Sequence, residues 1–328
     1  MLHIHNGDSS ADTAKRTSLP GEHFAFREAL IEGPAPSGLS PSEWRKIRAH
    51  HLAESYNIQS ECERELLDQE AKLATFPEHD EVVLWFEHDL FCQVHLTYLL
   101  NWFGQQQLGQ TKLSLICVGE FPGKPNFRGL GELNSDELAS LFPKRQQVTA
   151  EQLKIGATAW QAYSSSNPQD IEKILVSDTQ PLPFLQAALA AHLRRFPSTL
   201  NGLGAVETRA LEVIQSGSQT FGDLFQSFGA SEPVYGLGDS QFWSTLRRMT
   251  EARQPLLAVN NGNSDEKSDV AILPDATFEI TNVGRRVLKS EADFVELNGI
   301  ELWLGGVHLS GNKPTWRWDE GSGRIVAS

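Results

Sequence analysis

The residues of this chain best suited to chemistry are Glu87-His88-Asp89. Two carboxyl groups flanking an imidazole can transfer protons or hold a polar ligand, and His88 is the first proton-transfer candidate because its ordinary pKa lies near neutrality. Similar groups follow two other segments that read as strands. Asn6-Gly7-Asp8-Ser9 follows Leu2-His3-Ile4-His5, and Arg27-Glu28 closes the run beginning His23-Phe24-Ala25-Phe26. The working residues expected are His88, Glu87, Asp89 and Asp8 as an acid–base group, with Asn6, Ser9, Arg27, Glu28 and Arg128 as ligand contacts. Arg27 and the free N–H groups of a helix starting after Gly7 suit an anionic group, although Asp8 would repel a phosphate bound directly there. A purely structural alternative uses the same residues: Asp8 or Ser9 caps a helix, Asp89 caps the helix that starts at Leu90, and Arg27 pairs with Glu87.

What would bring these groups together is a parallel sheet. Glu81 to Phe86 (Glu-Val-Val-Leu-Trp-Phe) and Lys112 to Val118 are near-continuous apolar runs, as in strands buried on both faces. Helical stretches separate the strands. Ser40-Pro41-Ser42-Glu43 is a capping box opening a long amphipathic helical region that runs to about Ala74, and Leu90 to Gln106 reads as another helix. Alternating strand and helix predicts a parallel, flavodoxin- or Rossmann-like sheet over residues 1–125. Such sheets bind ligands outside the carboxyl ends of their strands, which is where the polar runs fall.

Other motifs carry less. His3 and His5 are expected to diverge from each other and so not to share a metal; with no CxxC pair either, no metal site is expected. His50-His51 reads as solvated helix surface. Phe127-Arg128-Gly129-Leu130-Gly131 reads as a loop able to carry Arg128 over the strand ends, and Asp178-Thr179 reads mainly as a cap.

Residues 126–200 read as a helical region, with caps at Asn134 or Ser135, at Thr149 (Thr149-Ala150-Glu151-Gln152) and at Asn167. Residues 201–292 read as three helices, a strand, a polar loop over Asn261 to Asp269, a second strand and a closing helix. That is a winged-helix-like layout. Between residues 205 and 290 there are eight Lys and Arg against eleven Asp and Glu, which makes a DNA surface electrostatically poor. Residues 293–328 form a β-rich tail with Gly305-Gly306 and Gly321-Ser322-Gly323 turns, where Trp303, Trp316 and Trp318 are expected to be mainly core.

The composition is globular, 40% hydrophobic and 21% charged, over 328 residues. A net charge of −14 argues against a protein whose main task is to grip nucleic acid. The apolar run from Glu81 to Leu100 is interrupted by Glu87, His88 and Asp89, so no membrane span is expected. The N-terminus shows no basic patch followed by an apolar stretch, and three scattered cysteines (Cys62, Cys92, Cys117) fit a reducing cytosol, so a cytoplasmic location is expected.

Taken together, the residues His3…Asn6-Gly7-Asp8-Ser9, Arg27-Glu28…Glu32-Gly33-Pro34 and Val83-Leu84-Trp85-Phe86-Glu87-His88-Asp89-Leu90 resemble the bacterial domain-of-unknown-function 1835 family. The first 120 or so residues carry the resemblance best. The segments Phe127–Gly131, Asp178-Thr179…Leu182-Pro183-Phe184-Leu185 and Leu297–Leu309 look like longer members of the group. The resemblance supports the architecture and implies no reaction. It also implies an acidic residue two or three positions after the Glu-His-Asp run, where this chain has Cys92.

The function expected is therefore binding of a small polar or anionic ligand, with or without catalysis, at the strand ends of the N-terminal domain. A ligand-sensing transcriptional regulator that uses the winged helix and a non-catalytic interaction scaffold are the alternatives. The residues specify neither a cofactor nor an oligomeric state.

Overall fold

The computed structural model describes residues 1–56, 61–217, 219–260 and 276–328. The N-terminal part alternates β1 (Leu2–His5), α1 (Asp8–Lys15), β2 (Glu22–Ala25), α2 (Pro41–Tyr56), α3 (Cys62–Ala74), β3 (Glu81–Glu87), α4 (Leu90–Gly104) and β4 (Lys112–Val118). The strands form a mostly parallel sheet in the order β2-β1-β3-β4, with the two residues of β5 (Gln146–Gln147) antiparallel at the β4 edge. The chain steps from β1 to β2 on one side and returns to place β3 on the other, so β1 and β3 meet at the point where the strand order reverses.

Strand alternation divides the side chains of β3 between two cores. Val82, Leu84 and Phe86 join a cluster with α4 and the helices beyond it. Val83 and Trp85 face the opposite side with Ala14, Ile116 and Leu130. Burial on both faces is what the unbroken apolar run requires. The same alternation corrects the expectation for His3 and His5. Residues two apart share a face, and both rings lie at the Trp85 side, with the Trp85 indole N–H donating to His3 Nδ1 at 3.1 Å. The His5 and His23 ring nitrogens meet at 3.1 Å.

The long helical region expected after Ser40 consists of two helices, α2 and α3, packed against each other. An apolar periodicity that restarts after a short break cannot be told from one that continues, so the pattern alone hides the division. Within α2, His50 is exposed beside Glu54, but His51 is half-buried. Gly33, at φ +69°, passes so close that a Cβ there would stand 2.2 Å from the His51 ring.

Beyond the sheet come α5 (Ser135–Ala139), α6 (Ala150–Tyr163), α7 (Gln169–Leu175) and α8 (Leu185–Leu193). Two of the expected caps are formed, Asn134 with Glu137 and Thr149 with Gln152 both making reciprocal capping boxes. At α7 the N-cap is Pro168, and Asn167 instead accepts the Gln169 N–H at 3.1 Å. α6 lies along α4, and Gly156 allows the approach, since a Cβ there would meet Leu100 at 2.5 Å.

Next are α9 (Ala205–Gln215), β6 (Gln219–Thr220), α10 (Phe221–Ser231), α11 (Asp239–Thr250), β7 (Leu257–Asn260), β8 (Thr277–Ile280) and α12 (Asn282–Leu288). β6, β8 and β7 form a small antiparallel sheet with β8 in the middle. The polar loop expected over Asn261 to Asp269 lies outside the described residues. The chain closes with α13 (Phe294–Asn298) and two antiparallel pairs, β9 (Ile300–Leu304) with β10 (Val307–Gly311) and β11 (Trp316–Asp319) with β12 (Arg324–Ala327). A continuous hydrophobic cluster includes residues from Leu2 to Ile325, so all four expected segments contribute to it. No helix among the described residues is long and apolar enough to cross a membrane.

Candidate functional site

The expected strand-end residues fall into two places. The first is buried, where β1 and β3 end side by side. Glu87 is the last residue of β3 and is 8% exposed. Its Oε1 accepts the Leu130 backbone N–H at 2.7 Å, and its Oε2 faces the Cys92 thiol. Asn6, following β1, reaches the same sulfur with its amide and takes its other partner from His95, whose Nδ1 lies 2.6 Å from Asn6 Oδ1. Asp89 is the N-cap of α4, its Oδ1 accepting the Cys92 N–H at 2.9 Å. This is the capping role that the structural alternative gives it.

Burial sets the protonation of this cluster. It pushes the Glu87 carboxyl up to about 7, and the neighbouring Asp89 carboxyl adds to the rise. Burial likewise raises Asp89 and holds Cys92 far above the usual thiol range. The His95 imidazole is driven down to about 3 by burial and then by Arg48, so the ring is neutral and accepts the Leu30 N–H at its Nε2. A protonated thiol between two buried carboxyl groups is an arrangement of shared protons, not of a reactive thiolate.

Glu87, Asp89 and Cys92 each offer a donor atom within 4.8 Å of the others, so two carboxyl groups and a thiol stand at metal-binding distances where no metal site was expected. Glu87 Oε1 accepts the Leu130 N–H, Glu87 Oε2 the Cys92 thiol and Asp89 Oδ1 the Cys92 N–H. The cluster is satisfied as a structural junction.

The crevice between the ends of β1 and β3 is filled by the chain itself. A Cβ on Gly129 would stand 2.9 Å from Glu87 Oε1, and one on Gly236 would stand 2.1 Å from Asp89 Oδ1. Gly236 has φ +61°, a conformation natural to glycine. Two remote loops therefore close over the two carboxyl groups. His88 turns away, its ring edge-on to Phe184 at 6.0 Å and its Nδ1 buried without a partner among the described residues. Five cavities of about 250 to 490 Å³ among the described residues are lined by none of Glu87, His88 and Asp89.

The second place is open. Beyond the carboxyl ends of β1 and β2 lies a cavity of about 490 Å³, lined among others by Gly7, Asp8, Phe26, Arg27 and Glu28. Asp8, at the start of α1, takes a bidentate bond from Arg27 at 2.7–2.9 Å, and both side chains are exposed. This pairing replaces the Arg27–Glu87 contact considered from the sequence. Glu28 points to the inner wall, bonded to Arg48, whose guanidinium is wholly buried. Arg48 also donates to the carbonyls of Ala29, Glu32 and Pro34, fixing the loop that follows β2.

Ser9 and Arg128 join neither place. The Ser9 hydroxyl reaches Gly131 O at 3.5 Å, and Arg128 pairs with Glu132 at 2.9 Å on the surface. Sequence reasoning missed Cys92, His95 and Arg48 as organisers, and Gln69, Tyr56 and Gln241 as lining of the cavity. Cys92 had a readable signal: it stands three residues after the N-cap Asp89, the position a cap bonds to. Gln241 had none, since it comes from α11. Comparison with protein-family models and with curated proteins found no match for the chain.

Proposed function

We propose that this chain binds a small molecule in the cavity at the carboxyl ends of β1 and β2. One observation carries the reading. The residues following two adjacent parallel strands, Gly7-Asp8 and Phe26-Arg27-Glu28, line a single cavity of about 490 Å³. Carboxyl-end crevices are where parallel sheets bind ligands, and a mixed apolar and polar lining suits a small organic ligand. Asp8 and Arg27 are the residues best placed to meet it. No reaction is assigned to Glu87, His88 or Asp89, because the support for their role is structural.

The strand order supports a flavodoxin-like relation for the N-terminal sheet, and the motif residues gathered at its carboxyl edge support membership of the domain-of-unknown-function 1835 family. For residues 205–288 the proposal is a winged-helix arrangement. β6, between the first two helices, pairs with β8, and β8 pairs with β7 after the third helix. In that arrangement α11 stands where a DNA-reading helix would be. Its Ser244 and Arg248 line clefts opposite Glu54 and Ser55 of α2, which favours a packing role over duplex recognition. Three cysteines spread widely along the chain, with no CxxC pair, support a reducing, cytoplasmic setting.

The test is thermal denaturation with a metabolite library, on the wild type and on Leu52→Trp, which fills the cavity wall. A true ligand at 100 times its dissociation constant stabilises by about 2.7 kcal/mol, and the filled variant loses that shift. Hits that stabilise both proteins equally, or no hit at all, would remove the cavity from consideration.

A further inference from the structure

The carboxyl-edge cavity is unevenly charged. Two of its carboxylates are already neutralised: Asp8 by Arg27 at 2.7 Å, and Glu28 by the buried Arg48 at 2.7 Å. Two more, Glu65 and Asp68, stand three residues apart on α3 and line the same cavity. Both are exposed, and neither forms an ion pair with a described residue. Arg27 is the one cation among the described lining residues, and its charge is taken by Asp8. The cavity thus carries an excess of two negative charges, opposite to the sign expected from Arg27 and the start of α1.

A second feature specifies more than charge. Gln69 lines the cavity and is 9% exposed. Its Oε1 accepts the Arg27 backbone N–H at 2.6 Å, which fixes the amide orientation. The Nε2 is left as a donor without a partner among the described residues. An amide donor with no protein partner at the wall of a cavity can bond a ligand acceptor. Much of the remaining wall is apolar and aromatic, with Phe24, Phe26 and Phe91 among its residues. Such a wall offers nothing to a hydrated metal ion but suits an organic body, and aromatic faces also attract cations.

Resting on the cavity reading above, we infer that the ligand is a small organic cation: an amine or guanidine on an apolar body that also carries a hydrogen-bond acceptor such as a carbonyl or hydroxyl. The charged end lies toward Glu65 and Asp68, the acceptor toward Gln69 Nε2 and the body against the phenylalanines.

Three matched probes test this by titration calorimetry at low ionic strength: phenylalanine amide (cation), 3-phenylpropanamide (neutral) and N-acetylphenylalaninate (anion). Phenylalanine amide binds the tightest, and added salt weakens it because the carboxylates are exposed. Glu65→Gln with Asp68→Asn weakens it about tenfold, the scale of two lost attractive charges near a surface. Arg27→Gln uncovers Asp8 and tightens it. The inference is overturned if the neutral or anionic probe binds as tightly as the cation, if the double carboxamide variant leaves binding unchanged, or if none of the three binds. In each case the cavity reading is judged separately, by the library screen and Leu52→Trp.

Discussion

The Glu87 carboxyl and the Leu130 backbone N–H, 43 residues apart, meet at 2.7 Å with both groups buried. The bond ties the end of the central strand to the loop that covers it. Glu87→Ala removes the acceptor, leaves a buried N–H unsatisfied and opens a small cavity, so a loss of about 2–4 kcal/mol is expected in urea unfolding. Glu87→Gln keeps Oε1 as acceptor and replaces a carboxyl held near neutrality by burial, so its cost is within about 1 kcal/mol. Equal losses in the two variants would show that the Leu130 bond is not what Glu87 supplies.

Stability depends on pH through buried histidines. His3 is lowered to about 4, His5 to about 2 and His95 to about 3, in each case chiefly by burial, and all three are fully buried. Below pH 6.5 the unfolded chain takes up protons on these rings while the folded chain does not, so stability falls as pH drops from 6.5 toward the folded values. Each ring contributes about 1.4 kcal/mol per pH unit inside that window. Glu87, raised from 4.5 to about 7, acts in the opposite direction between those values, since its folded form holds a proton that the unfolded form releases. Asp89, also raised by burial, acts with Glu87, while His51 and His192, also lowered by burial, act with the three rings, so the histidines outnumber the carboxyls. The urea midpoint at pH 5.5 should lie well below that at pH 7.5, and an equal or higher midpoint would show that these rings ionise inside the fold.

Arg48 and Glu28 form a buried ion pair that also holds three backbone carbonyls. Arg48→Met strands the Glu28 carboxylate and those carbonyls without a donor, at a cost of about 3–5 kcal/mol. Arg48→Met with Glu28→Gln removes the stranded charge and recovers part of the loss. Calorimetric melting of the single and double variants reads the coupling directly. A double variant no more stable than Arg48→Met would place the whole effect in the carbonyl contacts.

The parts legible in the sequence are those that local physics decides. Val82 to Phe86 could only be a strand buried on both faces, and Asn134, Thr149 and Asp89 could be recognised as caps from their spacing alone. The site was legible as an edge but not as a shape. Whether Glu87 and Asp89 line a crevice or a junction depends on Gly129 and Gly236, which approach them from far along the chain. The sign of the open cavity was hidden for a similar reason. Arg27 is conspicuous beside its strand, whereas Glu65 and Asp68 lie in a helix whose orientation no periodicity of the neighbouring strands fixes. A fully buried Arg48 in α2 runs against the usual exposure of arginine, so only its partners reveal it.

The tail is held to the body by main-chain contact at the Gly305-Gly306 turn. Gly306 N–H donates to Tyr163 O at 2.9 Å, Ala35 N–H donates to Gly305 O at 2.9 Å, and a Cβ on Gly306 would stand 1.9 Å from Ser164 O. No side chain fits there, so Gly306→Ala must push the β9–β10 hairpin away from the end of α6. Because the contact is backbone against backbone, no rotamer change can relieve it. Hydrogen exchange should show faster exchange at residues 300–311 and at Ala35, with the β1 and β3 amides still protected. If the hairpin amides kept wild-type protection in Gly306→Ala, the turn would not be the anchor of the hairpin, and apolar contacts such as those of Leu304 and Val307 with the core would be holding it.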